Sequence, residues 1–585
     1  MIGGGAPFVL LDDARTCGAA PARLYRDPVA IVETRDPEEV HACLARLRDN
    51  KLHAAGFLSY EAGIALEPKL APLRVSPPAD APPLLWFGLF EGFEDVDAEA
   101  LLPDPASGWA SPPRPLVARD DYETALAQTK AHIEAGDIYQ ANLTFRAEVL
   151  TAGSPLAVYA GLRRRAKAPW GGIVFTGAHW LLSCSPELFF TLKDGILTTR
   201  PMKGTAERGA NPIADQAAIS HLLADPKQRA ENLMIVDLLR NDLSRVAKTG
   251  SVKVPSLFAV ETYPTVHQMT STVTAEIEHG LGPIDVIAAI FPCGSITGAP
   301  KIRAMEIIAA LETSARGAYT GSIGRVAPDG EAAFNVAIRT LTRRAGETVA
   351  RIGLGSGIVA DSEAAAEWRE CLAKGMFVND PGRGFDLIET MRFDPELGVC
   401  DLERHLTRMK ASAEAFGFPF DRHSARNELQ AATFRLRDAR MLRLLLSPTG
   451  ALAIESRMLP EAPDGPVAVT LTPLPVAPDD FRLRHKTSDR GFYDEARTAS
   501  GRFETLFTDP DGFVTEGSFT SVFVKRGGLL LTPPLSRGLL PGILRQRLIE
   551  EGKAEEADLL AADLATGLWI GNAVRGLIPA RLEGV

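Results

Sequence analysis

The chain has 585 residues, more than one ordinary hydrophobic core organises, so several domain-sized units are expected. Hydrophobic residues make up 45% and charged residues 23%, which excludes a disordered chain, a collagen-like repeat and a coiled coil. The formal net charge of −11 advertises no basic surface, so neither nucleic acid nor an anionic membrane is an expected partner.

Met1–Pro7 has no basic stretch leading into an apolar core, so no secretory leader is expected there. The best candidate for an apolar span, 284–300, is interrupted by Asp285, Pro292 and Gly294, so no membrane helix is expected. Residues 71–84 and 103–115 are proline-rich and read as loops or extended linkers. Between them, Leu85–Phe93 is an apolar, aromatic run that suits a strand. From about 120 to 375 strand and helix signals alternate.

Within that stretch, Val236, Leu239, Leu243 and Val246 fall on one helical face, with Glu231 and Asp242 off the stripe. Taken alone, both acids read as solvated surface charge. Gly294–Lys301 precedes a helix over 302–311, and Gly353-Leu-Gly355-Ser-Gly357 reads as a glycine-rich turn before an acidic helix. Such turns can offer amides to an anion, although a plain tight turn accounts for them equally. On the acidic helix, Glu367, Glu370 and Lys374 share a face. Two carboxylates one turn apart can hold a hard divalent cation. Spacing alone favours a plain ion pair between Glu370 and Lys374.

Asn379–Gly384 is a turn-rich break, after which strand signals resume at Phe385. An amphipathic helix follows over 402–417, then a hairpin turn at Asp509-Pro-Asp-Gly512. Pro541-Gly542 opens a helix, so the amides of Ile543 and Leu544 can meet a phosphate. Cysteines 17, 43, 184, 293, 371 and 400 show no CxxC spacing, which points to reduced thiols in the cytoplasm.

Seven ordered blocks give the first module a resemblance. They are GDIYQANLTFR (136–146), SPELFF (185–190), RPMKGTAERG (200–209), ENLMIVDLLRNDL (231–243), ITGAPKIRAMEII (296–308), NVAIRTL (335–341) and GSGIVADSEAAAEWRECLAKG (355–375). Over about 120–375 this resembles the chorismate-utilising enzymes, which include anthranilate, isochorismate, salicylate and aminodeoxychorismate synthases. The resemblance implies Mg²⁺ held by Glu231, Glu367 and Glu370. Some relatives carry a further glutamate where this chain has Gln228. It also implies that Gln140, Thr205, His267, Thr297, Arg339, Gly355, Gly357 and Lys374 surround chorismate.

Two positions discriminate within that family. Members that use water carry a lysine base where this chain has Gln140, and anthranilate synthases carry alanine where it has Lys203. Aminodeoxychorismate synthases carry lysine there, with a glutamate sixteen residues earlier, and Glu187 meets that spacing. Glu187 is then the acid for the departing C4 hydroxyl and Lys203 a nucleophile at C2. None of the six cysteines sits on a GxCxG turn, so ammonia is expected from a glutamine amidotransferase partner subunit.

The second module, carried by FDLIETMRF (385–393), HKTSDRGFYDEAR (485–497), DPDGFVTEGSFTSVFV (509–524) and LLPGILRQRLIEEG (539–552), resembles fold-type IV pyridoxal 5′-phosphate (PLP) enzymes. Those include branched-chain and D-amino acid aminotransferases and aminodeoxychorismate lyase. Lys486 matches the Schiff-base lysine and Glu516 the partner of the pyridine nitrogen. Arg408, Ile543, Leu544 and Asn572 match phosphate contacts, while Tyr493 and Thr390 match pocket residues. The hairpin that usually precedes the ET block has little room here, so the first module or the linker is left to supply that edge.

Together the resemblances imply an α+β chain. A chorismate-utilising β-sandwich with helices occupies 1–376 (core 120–375), a linker 377–384, and a two-subdomain PLP domain 385–585, for which a homodimer is left open. The implied chemistry is chorismate plus ammonia to aminodeoxychorismate, then p-aminobenzoate and pyruvate, for folate synthesis. The alternatives are an anthranilate synthase fused to an aminotransferase, and a synthase carrying an inactive docking domain.

Overall fold

The computed structural model describes residues 5–262, 266–565 and 567–583. Met1–Gly4, most of the segment read for a leader, lie outside the described residues. The chain divides into two compact units. The first comprises Met1–Leu102, Pro112–Val149 and Tyr159–Asn379, and the second comprises Pro103–Ser111, Leu150–Val158 and Asp380–Val585.

The first unit is built on two large sheets whose described pairings are antiparallel. One runs through strand β1 (Gln140–Ala152), and the other begins with β2 (Met202–Glu207). Val9, Tyr25, Val174 and Leu181 of one sheet and Ala55, Phe57, Trp86 and Ile323 of the other form one buried cluster. That shared core makes the pair a sandwich. Helix α1 (Pro226–Ser244) lays Ile235, Val236, Leu239 and Leu243 into a second cluster against Val273, Phe190 and Leu197. Asp225 caps its start, accepting from the amides of Lys227 and Gln228. Asp242 is buried rather than solvated, since Lys301 at the head of helix α2 (Lys301–Leu311) donates to it at 2.6 Å.

The expected glycine-rich turn is instead the end of strand β3 (Val349–Ile358), paired through Ile352 with Leu341. Its glycines serve close approach. A Cβ on Gly353 would stand 2.0 Å from the Tyr319 ring, and one on Gly355 would stand 2.7 Å from the Leu143 carbonyl. Helix α3 (Ala364–Gly375) follows and carries the acidic face.

The second unit has two sheets. A four-stranded antiparallel sheet centres on β4 (Leu387–Asp394) and packs on helix α4 (Leu402–Phe416) through Leu387, Met391, Leu406, Met409 and Ala413. Left-handed Gly417 ends that helix, a backbone shape that costs a glycine little. Beyond it lie helix α5 (Gly491–Ser500) and an eight-stranded mixed sheet that includes β5 (Glu504–Thr508) and β6 (Val514–Gly517). These two pair around the Asp-Pro-Asp-Gly turn. Gly542 caps helix α6 (Ile543–Glu550). No helix among the described residues is long and apolar enough to cross a membrane.

Residues 103–111 are more than linker. Trp109–Ala110 pairs with Thr151 and Ala152, and Trp109 stands edge-on to Phe416 at 4.9 Å. Arg383 donates to the carbonyls of Pro105, Ala106 and Gly108. Segments from early in the chain therefore complete the core beside the ET strand.

Candidate active sites

In the first unit, Pro186, Leu188, Arg200 and Met202 line a cavity of about 340 Å³ together with Arg15, Lys167 and Trp170. Neither Glu187, in the short loop before the strand Leu188–Lys193, nor Lys203 of β2 lines that cavity. The Glu187 carboxyl is buried and accepts from Ser295 Oγ at 2.7 Å. Burial pushes it up to about 7, against the pull of the Ser295 hydroxyl and the charges of Lys203 and Lys374. It is therefore a carboxyl that holds a proton near neutral pH.

Lys203 sits on β2 with its ammonium 3.3 Å from Glu231 on α1. Asn232, the next helical residue, donates to the Lys203 carbonyl at 2.9 Å and accepts from Ser271 at 2.6 Å. Gly357 of β3 lies beneath the ammonium, and Gln140 Oε1 is near the same point, buried and without a partner among the described residues. Lys374 of α3 donates to the Gly355 carbonyl at 3.0 Å and pairs with Glu370 at 2.8 Å. Burial would raise the Glu370 carboxyl, but Lys374 and Lys203 outweigh it and hold it below the ordinary value.

Gln140, Lys203, Gly355, Gly357 and Lys374 thus gather around one place. Thr205 instead bonds Gln268 at the surface, and Thr297 closes a turn onto the carbonyls of Cys293 and Gly294. His267 has both ring nitrogens engaged, by Thr262 at 3.0 Å and Asp215 at 2.8 Å. Arg339 takes a left-handed backbone, and its guanidinium lies over Phe377. The three acids expected around a metal each have a separate partner: Glu231 has Lys203, Glu370 has Lys374, and Glu367 accepts from Ser362 at 2.7 Å. Among the described residues no three acids form a group that could hold a metal ion.

Ser295 and Asn232 escaped the sequence reading. Asn232 had a signal, because it shares the face of Ile235, Val236 and Leu239. A polar side chain on a buried stripe must find partners.

In the second unit Lys486 is half-buried and donates to Thr390 at 3.0 Å. Burial lowers its amine to about 7, assisted by the charges of Arg408, Arg490 and Arg443 and opposed by Glu389. Glu389 was not singled out in the sequence. It accepts from Arg408 at 2.8 and 2.7 Å and bonds His405 Nδ1 at 2.6 Å. Burial would raise its carboxyl, but Arg408 and His405 hold it down at about 2. Arg408 also donates to the Pro541 carbonyl at 2.9 Å, at the threshold of α6.

Glu516, on β6, accepts from Tyr493 at 2.5 Å and from the Leu540 amide at 3.2 Å. Burial pushes it up to about 7 against the opposing charge of Arg490. Ile543 and Leu544 open α6, as expected. Asn572 spends its side chain on the Phe519 carbonyl and on the amides of Val574 and Arg575. Three arginines around one half-buried amine leave the pocket positive, which suits an anionic group at a helix start.

Residues 7–380 match the family of chorismate binding enzymes. The chain belongs to that family. Residues 386–582 match amino-transferase class IV. Among relatives of the chorismate binding region, aminodeoxychorismate synthase component 1 of Klebsiella aerogenes is 45% identical over 261 residues, covering 45% of this chain and 57% of that protein. Anthranilate synthase component 1 of Pseudomonas aeruginosa is 40% identical over 261 residues, covering 45% of this chain and 53% of that one. The chain spans about half the length of the curated relatives it matches. The crystal structure of anthranilate synthase component I from Streptococcus pneumoniae superposes with a TM-score of 0.54 at 26% identity. It covers 62% of this chain and 93% of that one.

Proposed function

We propose that the first unit aminates chorismate at C4 and that the second removes pyruvate from the product to give p-aminobenzoate. Family membership alone does not choose between amination at C4 and the anthranilate reaction, because relatives of both names are similar. The observation that carries the reading is Lys203 lying close enough to Glu187 for its charge to act on that buried carboxyl, which stands at about 7.

In this reading Glu187 protonates the C4 hydroxyl, which leaves as water. Lys203, as the free amine, adds at C2 while the double bonds shift toward C4. Ammonia then adds at C4, the double bonds return, and Lys203 leaves from C2. One ammonia enters and one water departs. Gln140 offers an amide where a base for water would stand. Cys43, Cys184, Cys293 and Cys371 are buried with thiols pushed up by that burial, Cys184 and Cys293 to about 12. They are poor nucleophiles for glutamine hydrolysis, and none of the six cysteines, the exposed Cys17 included, sits on a GxCxG turn, so a separate glutamine amidotransferase supplies the ammonia. Glu231, Glu367 and Glu370 have the oxygen donors that Mg²⁺ prefers. Their arrangement, each spent on another group, does not fit an ion, and no step here runs through one.

The class IV match implies PLP for the second unit, and the positive surroundings of Lys486 fit it. When bound, PLP supplies an electron sink for loss of a proton from the amine-bearing carbon. Lys486 would hold the cofactor and take the C4 proton. Glu516 would hold a proton at the ring nitrogen, and the Ile543 and Leu544 amides with Arg408 would bind the phosphate. Pyruvate leaves as the ring becomes aromatic. Six free thiols support a reducing, cytoplasmic setting.

Purified chain given chorismate, Mg²⁺ and ammonium tests this, with PLP, without it, and as Lys203→Ala. p-Aminobenzoate and pyruvate from the wild type, lost in Lys203→Ala, support both units as read. Anthranilate would defeat the lysine argument. Aminodeoxychorismate accumulating with PLP present would defeat the lyase reading.

A further inference from the structure

Glu504, at the start of β5, is a buried carboxylate that the chemistry above does not use. Its Oε1 accepts from the Thr505 amide at 2.8 Å, the Ser518 amide at 3.0 Å and the Ser518 hydroxyl at 2.5 Å. Its Oε2 accepts from the Phe519 amide at 3.2 Å and the Thr520 hydroxyl at 2.8 Å. No cation pairs with it among the described residues. Five donors, four of them from 518–520, are what compensates this carboxylate for lost water.

The turn that supplies those donors begins directly after Glu516. Gly517 separates them, and a Cβ there would stand 2.8 Å from Glu504 Oε2 and 2.5 Å from Thr520 Oγ1. Only glycine lets the turn close on the carboxylate. The next residue, Ser521, reaches the start of α6, because a Cβ on Gly542 would stand 2.5 Å from its hydroxyl. One buried acid thus fixes the strand end that carries Glu516 and the segment that abuts the start of α6.

We infer that Glu504 is the positioning residue of the second site, holding the 516–520 turn so that Glu516 meets the ring nitrogen while Ser521 abuts the phosphate end. The inference rests on the PLP reading of the second unit. A glutamine at 504 keeps the shape but turns an NH₂ toward groups that are themselves donors. It also removes a negative neighbour whose charge raises the Glu516 carboxyl.

The test compares Glu504→Gln and Thr520→Val with wild type, all as full chains. Three quantities are read: the rate of the first step, PLP affinity by titration of the visible band, and the pH profile of the second step. In Glu504→Gln the first step is unchanged, PLP binds about tenfold more weakly, and the second step falls on the order of 10²-fold, the size of effect a misplaced group produces. Its acid limb moves to lower pH. Thr520→Val, lacking one donor, shows a smaller loss in affinity and rate. Wild-type affinity, rate and pH profile in Glu504→Gln overturn the inference. So does a Glu504→Gln chain whose second unit unfolds while Thr520→Val matches wild type in affinity and rate. A wild type that binds no PLP and forms no p-aminobenzoate overturns the reading of the unit itself, and the inference with it.

Discussion

Lys203 Nζ stands over Gly357, so close that a Cβ on the glycine would come within 3.0 Å of it. The glycine has no left-handed backbone to protect, so its role here is space. Gly357→Ala is expected to fold with an unchanged melting temperature and to shift the amine by tenths of an ångström. The first step should fall about tenfold, less than the ~10²-fold that a 1 Å misplacement produces. Steady-state kinetics of aminodeoxychorismate formation check this, and an unchanged kcat would remove Gly357 from the site.

The Glu187 carboxyl, pushed up to about 7 by burial, sets the pH behaviour of that step. Its acid form is the active one, so at a fixed concentration of un-ionised ammonia the rate should decline as pH rises through about 7. Glu187→Gln should abolish that limb and lower the rate by about 10²- to 10⁴-fold. A variant retaining the wild-type profile would assign the proton to another group.

Lys486, lowered to about 7, has a substantial neutral fraction at physiological pH, as an amine that must attack a carbonyl requires. Lys486→Ala should stop p-aminobenzoate formation while aminodeoxychorismate accumulates at the wild-type rate. The wild type should show absorbance near about 410–420 nm that borohydride removes, and the variant should not. A reducible band in Lys486→Ala would place the attachment elsewhere.

The sequence made the two-part architecture legible because seven spaced blocks and a Lys-to-Glu interval of thirty residues survive as linear patterns. The helix of 226–244 was visible in its apolar stripe, and the helix of 543–550 in its Pro-Gly entry. What stayed hidden depends on distant residues. Nothing local tells that Gly353 and Gly355 belong to a strand, since Tyr319 and Leu143 decide that by approaching them. Asp242 resembled a surface acid until Lys301 came to cover it. The acids at 231, 367 and 370 lie on the expected helices, and the spacing showed the Glu370–Lys374 pair, yet only the fold brings Lys203 to Glu231 and Ser362 to Glu367.

Glu389 gives the second unit an acid-sensitive core. Its carboxyl is held at about 2 by Arg408 and His405, below its ordinary value, so its contribution is complete above the ordinary range near 4.5. That contribution, about 3 kcal/mol by linkage, is lost as pH falls from there through about 2. Glu389→Gln leaves the buried Arg408 without its anion and should cost about 3–5 kcal/mol at neutral pH. Denaturant melts of the second unit at pH 7 and at several pH values from 4.5 down to about 2 check both statements. A variant as stable as wild type at pH 7 would show that Arg408 finds another acceptor.

Trp109 bears on how the second core is completed. It stands edge-on to Phe416 at 4.9 Å and near Phe385 at 6.2 Å, and Arg383 fastens its segment by the carbonyl of Gly108 at 2.7 Å. Each aromatic pair is worth about 0.5–1.5 kcal/mol beyond burial, so Trp109→Ala should destabilise the second unit by about 1–3 kcal/mol and Trp109→Phe by less. Because two units need not unfold together, the transition is best followed through loss of the reducible cofactor band rather than total fluorescence. The first step, assayed in the same preparation, should be unaffected at temperatures below that transition. Equal loss of both activities would mean that residues 103–111 serve the first unit as well.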